Sequence, residues 1–382
     1  MDLDLGPKVL ARSDDWTNDG NMSSLDYNFM TRHPSLSISF LIFTCLSVVL
    51  GNIGNVMVIG AVVSYRPLLR NKGSMFVINL AIADLCITGI ISPMNMVGVT
   101  HGPRYFVNRA LLCHTLGSIC TVSCIVSMLS IAAVAVNRFV QICKYFVYHR
   151  IYTHKKTVLY CMSLWILAVL LDLPNWVGWG GHTFGLKEMG CTFDRTANHS
   201  YTIFLATTSI ALPMVIVLLC YSILVYYVRK CRIEVRQIGS MSKKRLHDEI
   251  QFAITLFVAF VTFVTSWSPY MSGLLFDFED RWPKELYVFG TLLGHSNSTI
   301  NPIIYALASV RFRKGYYVFI HKLFRIKMTK EGYAIDGSRD ENILRYTSRS
   351  RSPIATSLQN MNACIDGHCK NNQLVPNSYA KV

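Results

Sequence analysis

The side chains with the clearest chemical potential in this sequence are polar groups placed inside long apolar stretches. Asp84 is the deepest acid in those stretches. Other stretches supply amides and hydroxyls that could converge on it, namely Asn55, Ser127, Asn297, Ser298 and Asn301. A carboxylate with converging oxygen ligands suits a small hard cation such as Na⁺. A water-filled network that satisfies buried polar groups would use the same residues, so both interpretations stay open.

A second acid, Asp172, lies near the outer end of another apolar stretch, close to Pro174. We expect its carboxylate to reach toward the lipid headgroups, with contact to a cationic ligand group as the alternative. The roles of His114 and His295 stay open in the same way, because a lone histidine can contact a ligand or can simply be a hydrogen-bonded group of the structure.

Composition shows what kind of element must position these groups. The 382 residues are 52% hydrophobic and 15% charged, with a mean hydropathy of +0.34. These values exclude a disordered chain, a coiled coil and a small disulfide-stapled protein. Crossing about 30 Å of hydrocarbon takes roughly 20 apolar residues in a helix. The sequence therefore predicts an all-α membrane protein, a seven-transmembrane helix bundle with spans at 36–63, 73–98, 110–136, 157–181, 201–228, 250–276 and 286–310.

Lys and Arg residues beside the spans predict the orientation. One alternating set of flanking segments holds 21 of them and the other holds 9, the richer set being 65–72, 143–157, 229–247 and 311–330. Because the richer side faces the cytoplasm, we expect an extracellular N-terminal tail over 1–35 and a bundle over 36–310. The sequons at Asn21 and Asn198 fall on the outer side and predict glycosylation there. The sequon at Asn297 falls inside a span and is a chance match.

The net charge of +15 follows from this topology and from attraction to anionic membrane lipids. We therefore expect membrane lipids as partners and no nucleic acid. Residues 331–382 are polar and show no helical period, so we interpret 327–382 as a disordered cytoplasmic tail.

The twelve cysteines separate by compartment. Ten lie in the spans or near the reducing cytosol, namely Cys45, Cys86, Cys120, Cys124, Cys143, Cys161, Cys220, Cys231, Cys364 and Cys369. Only Cys113 and Cys191 remain for an oxidising compartment, at the outer end of the third span and in the second outer loop. We expect a disulfide between them that pins this loop. The cysteine spacings indicate no metal site.

Helix-breaking prolines recur inside the spans, at Pro93, Pro174, Pro213, Pro269 and Pro302. Each removes an intrahelical hydrogen bond and favours a kink, and kinked helices can support two packings of similar energy. Proline is also simply common in membrane helices, so this pattern alone does not separate the two interpretations.

The order of these signals resembles the rhodopsin-like (class A) G-protein-coupled receptors from residue 36 to residue 326. The strings that carry the resemblance are Gly54-Asn55-Val56, Leu80-Ala81-Ile82-Ala83-Asp84, Asn137-Arg138-Phe139, Trp165, Pro213 with Tyr221, Trp267-Ser268-Pro269, Asn301-Pro302-Ile303-Ile304-Tyr305 and Phe312-Arg313. The resemblance implies a short amphipathic eighth helix over 311–326. It also implies that Na⁺ is held by Asp84, Ser127, Asn297, Ser298 and Asn301 as an allosteric ion, with no other cofactor.

Within that class the sequence is most similar to the melatonin-receptor branch and its orphan relatives, including insect receptors of the Moody type. Strings that carry this similarity include Leu173-Pro174-Asn175, Cys191-Thr192-Phe193, Tyr201-Thr202-Ile203 and Phe312-Arg313-Lys314. Asn175 matches a ligand-contacting asparagine of that branch. Ser209 stands where the branch has a fifth-helix histidine, and Asn301-Pro302 stands where melatonin receptors have Asn-Ala. These departures favour an orphan relative over a receptor for melatonin.

The resemblance also excludes two neighbouring classes. Cys120 stands where amine receptors place an acid, and His295 stands where opsins place the retinal lysine. The expected ligand pocket is formed by Cys120, Asn175, Ser209, Trp267 and His295. Its mixture of aromatic, small and neutral polar groups suits a lipid, a small neutral molecule or part of a peptide, so the ligand class stays open.

The resemblance implies a plasma-membrane receptor that passes the binding of an extracellular ligand to heterotrimeric G proteins, with the inhibitory class expected by analogy with the melatonin branch. The residues expected to act as the activation switch are Asn137, Arg138, Phe139, Tyr221, Glu249, Trp267, Pro269, Asn301, Pro302 and Tyr305. We expect Glu249 to hold Arg138 in the resting state. Because Asn137 replaces the acid that usually precedes the arginine, that resting state should be loose.

Arrestin and a receptor kinase are further expected partners. A hydroxyl cluster in the basic tail could take phosphates that arrestin reads, namely Thr347, Ser348, Ser350, Ser352, Thr356 and Ser357. An inert polar tail is the alternative.

The competing function is a membrane transporter or channel. Transporters commonly contain duplicated halves, and no repeat relates the two halves of this sequence. An enzyme has less support, because no spacing suggests a nucleophile, a base and an oxyanion site together. We therefore expect no catalytic residues.

Overall fold

The computed structural model describes residues 28–235, 240–277 and 279–325, without the side chains of residues 145, 146 and 230–249. Seven membrane helices form a bundle, and we number them in chain order. They are Pro34–Ser64, Gly73–His101, Ala110–Cys143, His154–Asp172, His199–Val235, Ser240–Phe276 and Lys284–Ala308. Helices one to six are long and apolar enough to cross a membrane. The seventh carries more polar residues and packs against the sixth.

Short elements connect the membrane helices. A hairpin of β1, His182–Gly185, and antiparallel β2, Gly190–Phe193, forms the second outer loop. The remaining short helices are Phe29–Arg32, Arg66–Arg70, Pro103–Val107, Tyr145–Ile151 and the 3₁₀ turn Leu173–Asn175.

A final helix, Val310–Leu323, follows the bundle at its inner end and packs against the first membrane helix. It buries Phe312, Tyr316 and Val318 while its charged residues face outward. This is the short amphipathic helix that the sequence predicted over 311–326.

Two membrane helices widen by one π-helical turn just before a proline. The second contains Ile87–Ile91 ahead of Pro93, and the fifth contains Thr207–Ala211 ahead of Pro213. Proline has no N–H to donate and its ring collides with a carbonyl one turn earlier. A wider turn relieves both conflicts, so these prolines shift the register of the helix and re-aim the residues that follow.

The second and third helices form the centre of the bundle. In the most apolar window of each, 61% of residues are buried within the protein, against 17% in the fourth helix. The outer surfaces of the first, fourth and fifth helices are rich in exposed Leu, Ile and Val, as expected for contact with lipid tails. Functional side chains on the third helix are therefore surrounded by protein.

The predicted spans match these helices except at some ends. The fourth was expected to reach residue 181, but its α-helix ends at Asp172. Pro174 stops it, because a 3₁₀ turn there is followed by irregular backbone. The third helix continues beyond residue 136 to Cys143, which places Arg138 on a continuous helix.

Candidate functional site

A cavity opens on the outer side of the bundle. Its empty volume is about 950 Å³, a figure that includes the open mouth. Four of the residues expected in the ligand pocket line it: Cys120, Ser209, Trp267 and His295. Most other lining side chains are apolar, including Ile91, Ile125, Met128, Leu205, Phe263 and Leu274. An apolar enclosure with a few polar groups is typical of a site for a small ligand.

The deep end of the cavity combines aromatic and polar groups. The rings of Trp267 and His295 meet edge to face with centroids 6.1 Å apart. Cys120 Sγ lies 3.7 Å from His295 Nε2. Phe263 and Tyr270 of the same helix pack against Trp267. A ligand that moves Trp267 would therefore disturb the packing of these side chains on the sixth helix.

Asn175 lies outside the cavity lining, in contrast to its sequence-based assignment. Its Nδ2 donates to Asp172 Oδ1 and to the Tyr201 hydroxyl oxygen, both at 2.9 Å. Asp172 also contacts His182 Nε2 at 3.1 Å. The expectation that Asp172 reaches the headgroups is therefore wrong: its carboxylate is buried because His182 of β1 folds over it. This network ties the hairpin to the fourth and fifth helices.

The hairpin covers the cavity and is pinned in place. Cys191 of β2 forms the expected disulfide with Cys113 at the outer end of the third helix. β2 contributes Gly190, Thr192 and Phe193 to the cavity lining. The disulfide therefore fixes a wall of the cavity as well as a loop.

A charged cluster joins the hairpin to the loop between the sixth and seventh helices. Lys187 Nζ lies 2.7 Å from Asp280 Oδ1 and donates to the Trp282 carbonyl at 2.9 Å. Arg195 pairs with the same Asp280 and donates to the Asp277 carbonyl at 2.8 Å. These contacts bring the second and third outer loops together over the cavity.

Asp277 anchors this cluster. Burial opposes the charge of this carboxylate, yet its pKa lies below the ordinary value. The groups that stabilise the charged form are the Tyr287 hydroxyl, the backbone N–H groups of Trp282 and Arg281, and nearby Arg195. The Tyr287 hydroxyl donates to its Oδ2 at 2.7 Å. The loop carboxylate is therefore charged at neutral pH and fixed in position.

The polar residues around Asp84 converge at the centre of the bundle. Ser127 Oγ donates to Asp84 Oδ1 at 3.3 Å, and Asn301 Nδ2 donates to Oδ2 at 2.9 Å. Asn55 Nδ2 donates to the Ser298 carbonyl at 2.9 Å. Among the described residues, the side-chain oxygens of Asn297 and Asn301 are buried without a hydrogen-bond partner. Asn301 contacts the Asp84 carboxylate directly, and an unpaired oxygen beside a carboxylate fits a small hard cation.

Arg138 lies at the inner end of the third helix and is fully buried. Its Nη2 donates to Asn71 Oδ1 at 2.8 Å, and its guanidinium carbon lies 4.7 Å from the centroid of the Phe252 ring. Gly73 leaves room for it, because a Cβ there would collide with the guanidinium group. The expected partner Glu249 belongs to the sixth helix, but its side chain lies outside the described part of the structure.

The other expected switch residues lie on the third, fifth, sixth and seventh helices. Asn137 of the third helix is buried against Gly73 at the start of the second helix. Phe139 packs on the apolar core cluster that contains Tyr221. Tyr221 meets Phe257 at 4.8 Å between ring centroids. Tyr305 stacks on Phe312 at 5.0 Å. Pro269 and Pro302 both lie inside their helices.

Sequence reasoning missed several residues of these sites. Asn71 and Phe252 contact Arg138, and Glu188 and Asn95 line the cavity. Asn71 follows a short inner helix in a loop, where an asparagine has no distinctive signal. Glu188 was visible as an acid three residues before Cys191, but only the hairpin shows that it turns toward the cavity.

Two modification predictions remain. Asn198 is exposed at the start of the fifth helix, where its side chain accepts from the Ser200 N–H, so its glycosylation stays a prediction. Asn21 and the tail hydroxyl cluster lie outside the described residues.

Comparisons with known proteins agree with this geometry. Residues 54–305 match the family model for the 7 transmembrane receptor (rhodopsin family). A melatonin receptor type 1B-B from Danio rerio is 32% identical, over 79% of this chain and 87% of that relative. The melatonin receptor type 1A of Phodopus sungorus is 31% identical, over 80% of this chain and 86% of that relative.

A solved structure shows the same fold. Squid rhodopsin superposes with a TM-score of 0.68 at 20% identity, covering 80% of this chain and 92% of the rhodopsin chain. Together with the family match over residues 54–305, this similarity shows that the chain belongs to the rhodopsin family of seven-transmembrane receptors.

Proposed function

We propose that this receptor binds an extracellular ligand in the outer cavity at the plasma membrane, with its N-terminus outside, and activates heterotrimeric G proteins of the inhibitory class. Membership of the family supports G-protein-coupled signalling. The inhibitory class rests on analogy with the melatonin-receptor relatives alone. A transporter or channel is not favoured, because the family consists of receptors.

One observation carries the proposal: Arg138 is completely buried beneath Asn71 and Phe252. A G protein could contact this arginine only after the inner end of the sixth helix, which bears Phe252, moved away. The described packing therefore suits a resting state, and activation would be a shift toward a second packing in which Arg138 is exposed.

The cavity and Arg138 are connected by aromatic residues of the sixth helix. Trp267 lines the cavity and packs on Phe263 at 6.1 Å between ring centroids. Farther in, Phe260 packs on Phe257, which in turn contacts Tyr221 of the fifth helix. A ligand that displaces Trp267 would thus favour a different arrangement of the sixth helix near Arg138.

Melatonin is not assigned to this receptor. The position of the branch's fifth-helix histidine is Ser209, whose hydroxyl donates to the Leu205 carbonyl of its own helix at 2.5 Å. Asn175, which matches the branch's ligand-contacting asparagine, is instead engaged by Asp172 and Tyr201. Two of the polar contacts that the relatives' ligand would need are therefore missing or occupied.

The proposal includes Na⁺ at the polar centre of the bundle, held by Asp84, Ser127, Asn297, Ser298 and Asn301. The buried amide oxygens there support a hard cation. Arrestin and a receptor kinase are proposed partners of the cytoplasmic tail, on the basis of its hydroxyl cluster.

The test begins with a ligand screen read out by G-protein dissociation in cells, followed by Arg138→Ala with the ligand found. We expect the variant to bind this ligand but to lose coupling, because the residue that would meet the G protein is gone. Arg104→Ala, a change of the same type at an exposed outer position, should couple normally at matched surface expression. A fully coupling Arg138→Ala receptor would contradict the mechanism.

A further inference from the structure

Glu188 lies in the turn between β1 and β2 and lines the outer cavity. It is only 9% exposed, and its carboxylate rests against Gly185, where a side-chain carbon would collide with it. The signalling mechanism proposed above makes no use of this residue. A buried carboxylate facing a ligand-sized cavity is costly unless something pairs with it.

The surrounding outer loops do not supply that partner. Ion pairs among the described residues there join Lys187 to Asp280 and Arg195 to Asp280 and Asp277. Within the described part of the chain, Glu188 forms no ion pair. A carboxyl group without an ion-pair partner therefore lines the cavity.

The pKa values of the cluster agree with this description. Burial raises the pKa of Glu188 to about 7, although nearby Arg195 acts in the opposite direction. Burial also works against the charge of Arg195, but Glu188 and Asp280 together hold its pKa above the ordinary value. Arg195 is thus shared among several acids and leaves Glu188 only partly compensated.

The rest of the cavity offers no competing charge. Among the described lining residues there is no Asp, Lys or Arg and no second Glu, and His295 lies at the deep end beside Trp267. The position that amine receptors fill with an acid is Cys120. A ligand cation entering this cavity would therefore find its counterion in the outer hairpin.

We infer that the cavity binds a compact, mainly apolar ligand with one protonated amine, and that this amine pairs with Glu188 beneath the hairpin. The apolar lining would hold the body of the ligand while the unmatched carboxylate fixes its orientation, with the charge outward. This inference rests on the proposed function only in taking the cavity as the ligand site.

The proposed pairing predicts a pH dependence with a definite sign. An aliphatic amine has a pKa near 10.4 and keeps its charge between about pH 6 and pH 8. Because burial raises the pKa of Glu188 to about 7, its carboxyl group loses its proton over that range, so affinity for the amine should rise with pH by up to about tenfold. A neutral ligand that accepts a hydrogen bond from protonated Glu188 would show the opposite trend.

Other titratable groups lie near Glu188, in the loops around it or in the same cavity, and their effects on the pH dependence must be distinguished from its own. They are Lys187, Asp194 and Arg195 of the hairpin region, Asp280 of the third outer loop, Tyr270 of the sixth helix and Tyr287 and His295 of the seventh. The contribution of Glu188 is therefore the difference between the pH profiles of the receptor and of Glu188→Gln.

The probes are tryptamine, 2-phenylethylamine and octylamine, each paired with its neutral N-acetyl amide. Binding is measured as the shift in melting temperature of the purified full-length receptor, which needs no G protein, and signalling is measured separately by G-protein dissociation. The variants are Glu188→Gln, Glu188→Asp and a matched control, Glu279→Gln, which alters an exposed acid of the third outer loop.

We expect at least one amine, and not its amide, to stabilise the receptor, with affinity reduced about tenfold or more in Glu188→Gln and retained in part in Glu188→Asp. Glu279→Gln should behave like the unchanged receptor. The inference would be overturned if the amides stabilised the receptor instead of the amines, or if no amine stabilised it. It would also be overturned if the amines stabilised Glu188→Gln as much as the unchanged receptor. Amine binding without coupling would contradict the proposed function and leave the ligand class standing.

Discussion

At the scale of single residues, the contact between Arg138 and Asn71 suggests a restraint that Glu249 need not provide alone. A hydrogen bond to a charged group contributes about 1.5 kcal/mol or more, which is roughly a tenfold change between two nearly balanced states. We therefore expect Asn71→Ala to raise ligand-free G-protein dissociation by up to about tenfold.

Asn71→Asp is the matched variant for this prediction. It keeps an acceptor for Arg138 Nη2 and adds a negative charge beside the guanidinium group, so ligand-free signalling should fall to or below that of the unchanged receptor. If neither substitution alters basal dissociation at equal surface expression, Asn71 does not restrain Arg138.

A second prediction at this scale concerns Asp84. If Na⁺ binds beside its carboxylate and favours the resting packing, agonist affinity should decrease as Na⁺ replaces choline at constant ionic strength. Asp84→Asn removes the charge while keeping the size of the side chain, so this dependence should disappear. Agonist binding measured across a Na⁺ titration checks it, and an Asp84→Asn receptor that keeps its full Na⁺ response would exclude the site.

At the scale of elements, hydropathy predicted the seven spans because a chain in hydrocarbon must satisfy its backbone within each segment. Outside the membrane, water can satisfy the backbone, so hydropathy no longer predicts where a helix begins or ends. This is why the fourth span was overestimated beyond Pro174 and why the inner extension to Cys143 was not predicted. The positions of the prolines predicted where helices would deform. They did not predict that a π-helical turn would precede two of these prolines, Pro93 and Pro213.

The candidate site was predicted unevenly for a physical reason. Cys120, Trp267 and His295 sit on regular helices, where position along the chain sets the depth and face of a side chain. Asn175, Asp172 and Glu188 depend on the hairpin, whose path over the bundle is set by long-range contacts such as His182 with Asp172. The disulfide was predictable because compartment alone left Cys113 and Cys191, but the hairpin that carries Cys191 was not.

At the scale of the whole molecule, the two proposed cytoplasmic functions, G-protein coupling and arrestin recruitment, should be separable. Arg138 is buried in the bundle and would meet a G protein only after a change in packing. The hydroxyl cluster of the tail lies far along the chain from it and would act through added charge. A change in one should therefore spare the other.

Truncation after Lys330 tests this separation. It should abolish ligand-stimulated arrestin recruitment and leave G-protein dissociation unchanged, because the bundle and the final helix stay intact. A sharper variant replaces only the six hydroxyl residues with alanine, namely Thr347, Ser348, Ser350, Ser352, Thr356 and Ser357. Each phosphate would add about −1.5 to −2 charges to a basic segment, so alanine removes the signal while keeping the length and basic residues of the tail.

The two tail variants and Arg138→Ala together decide whether these functions are independent. Arrestin recruitment and G-protein dissociation are measured in parallel with the same ligand at matched surface expression. If the alanine variant recruits arrestin as well as the unchanged receptor, phosphates at these six positions are not what arrestin reads. If truncation also leaves recruitment intact, the tail has no part in it and the bundle itself must supply the contact, because arrestin would then have only the inner loops and the final helix to bind.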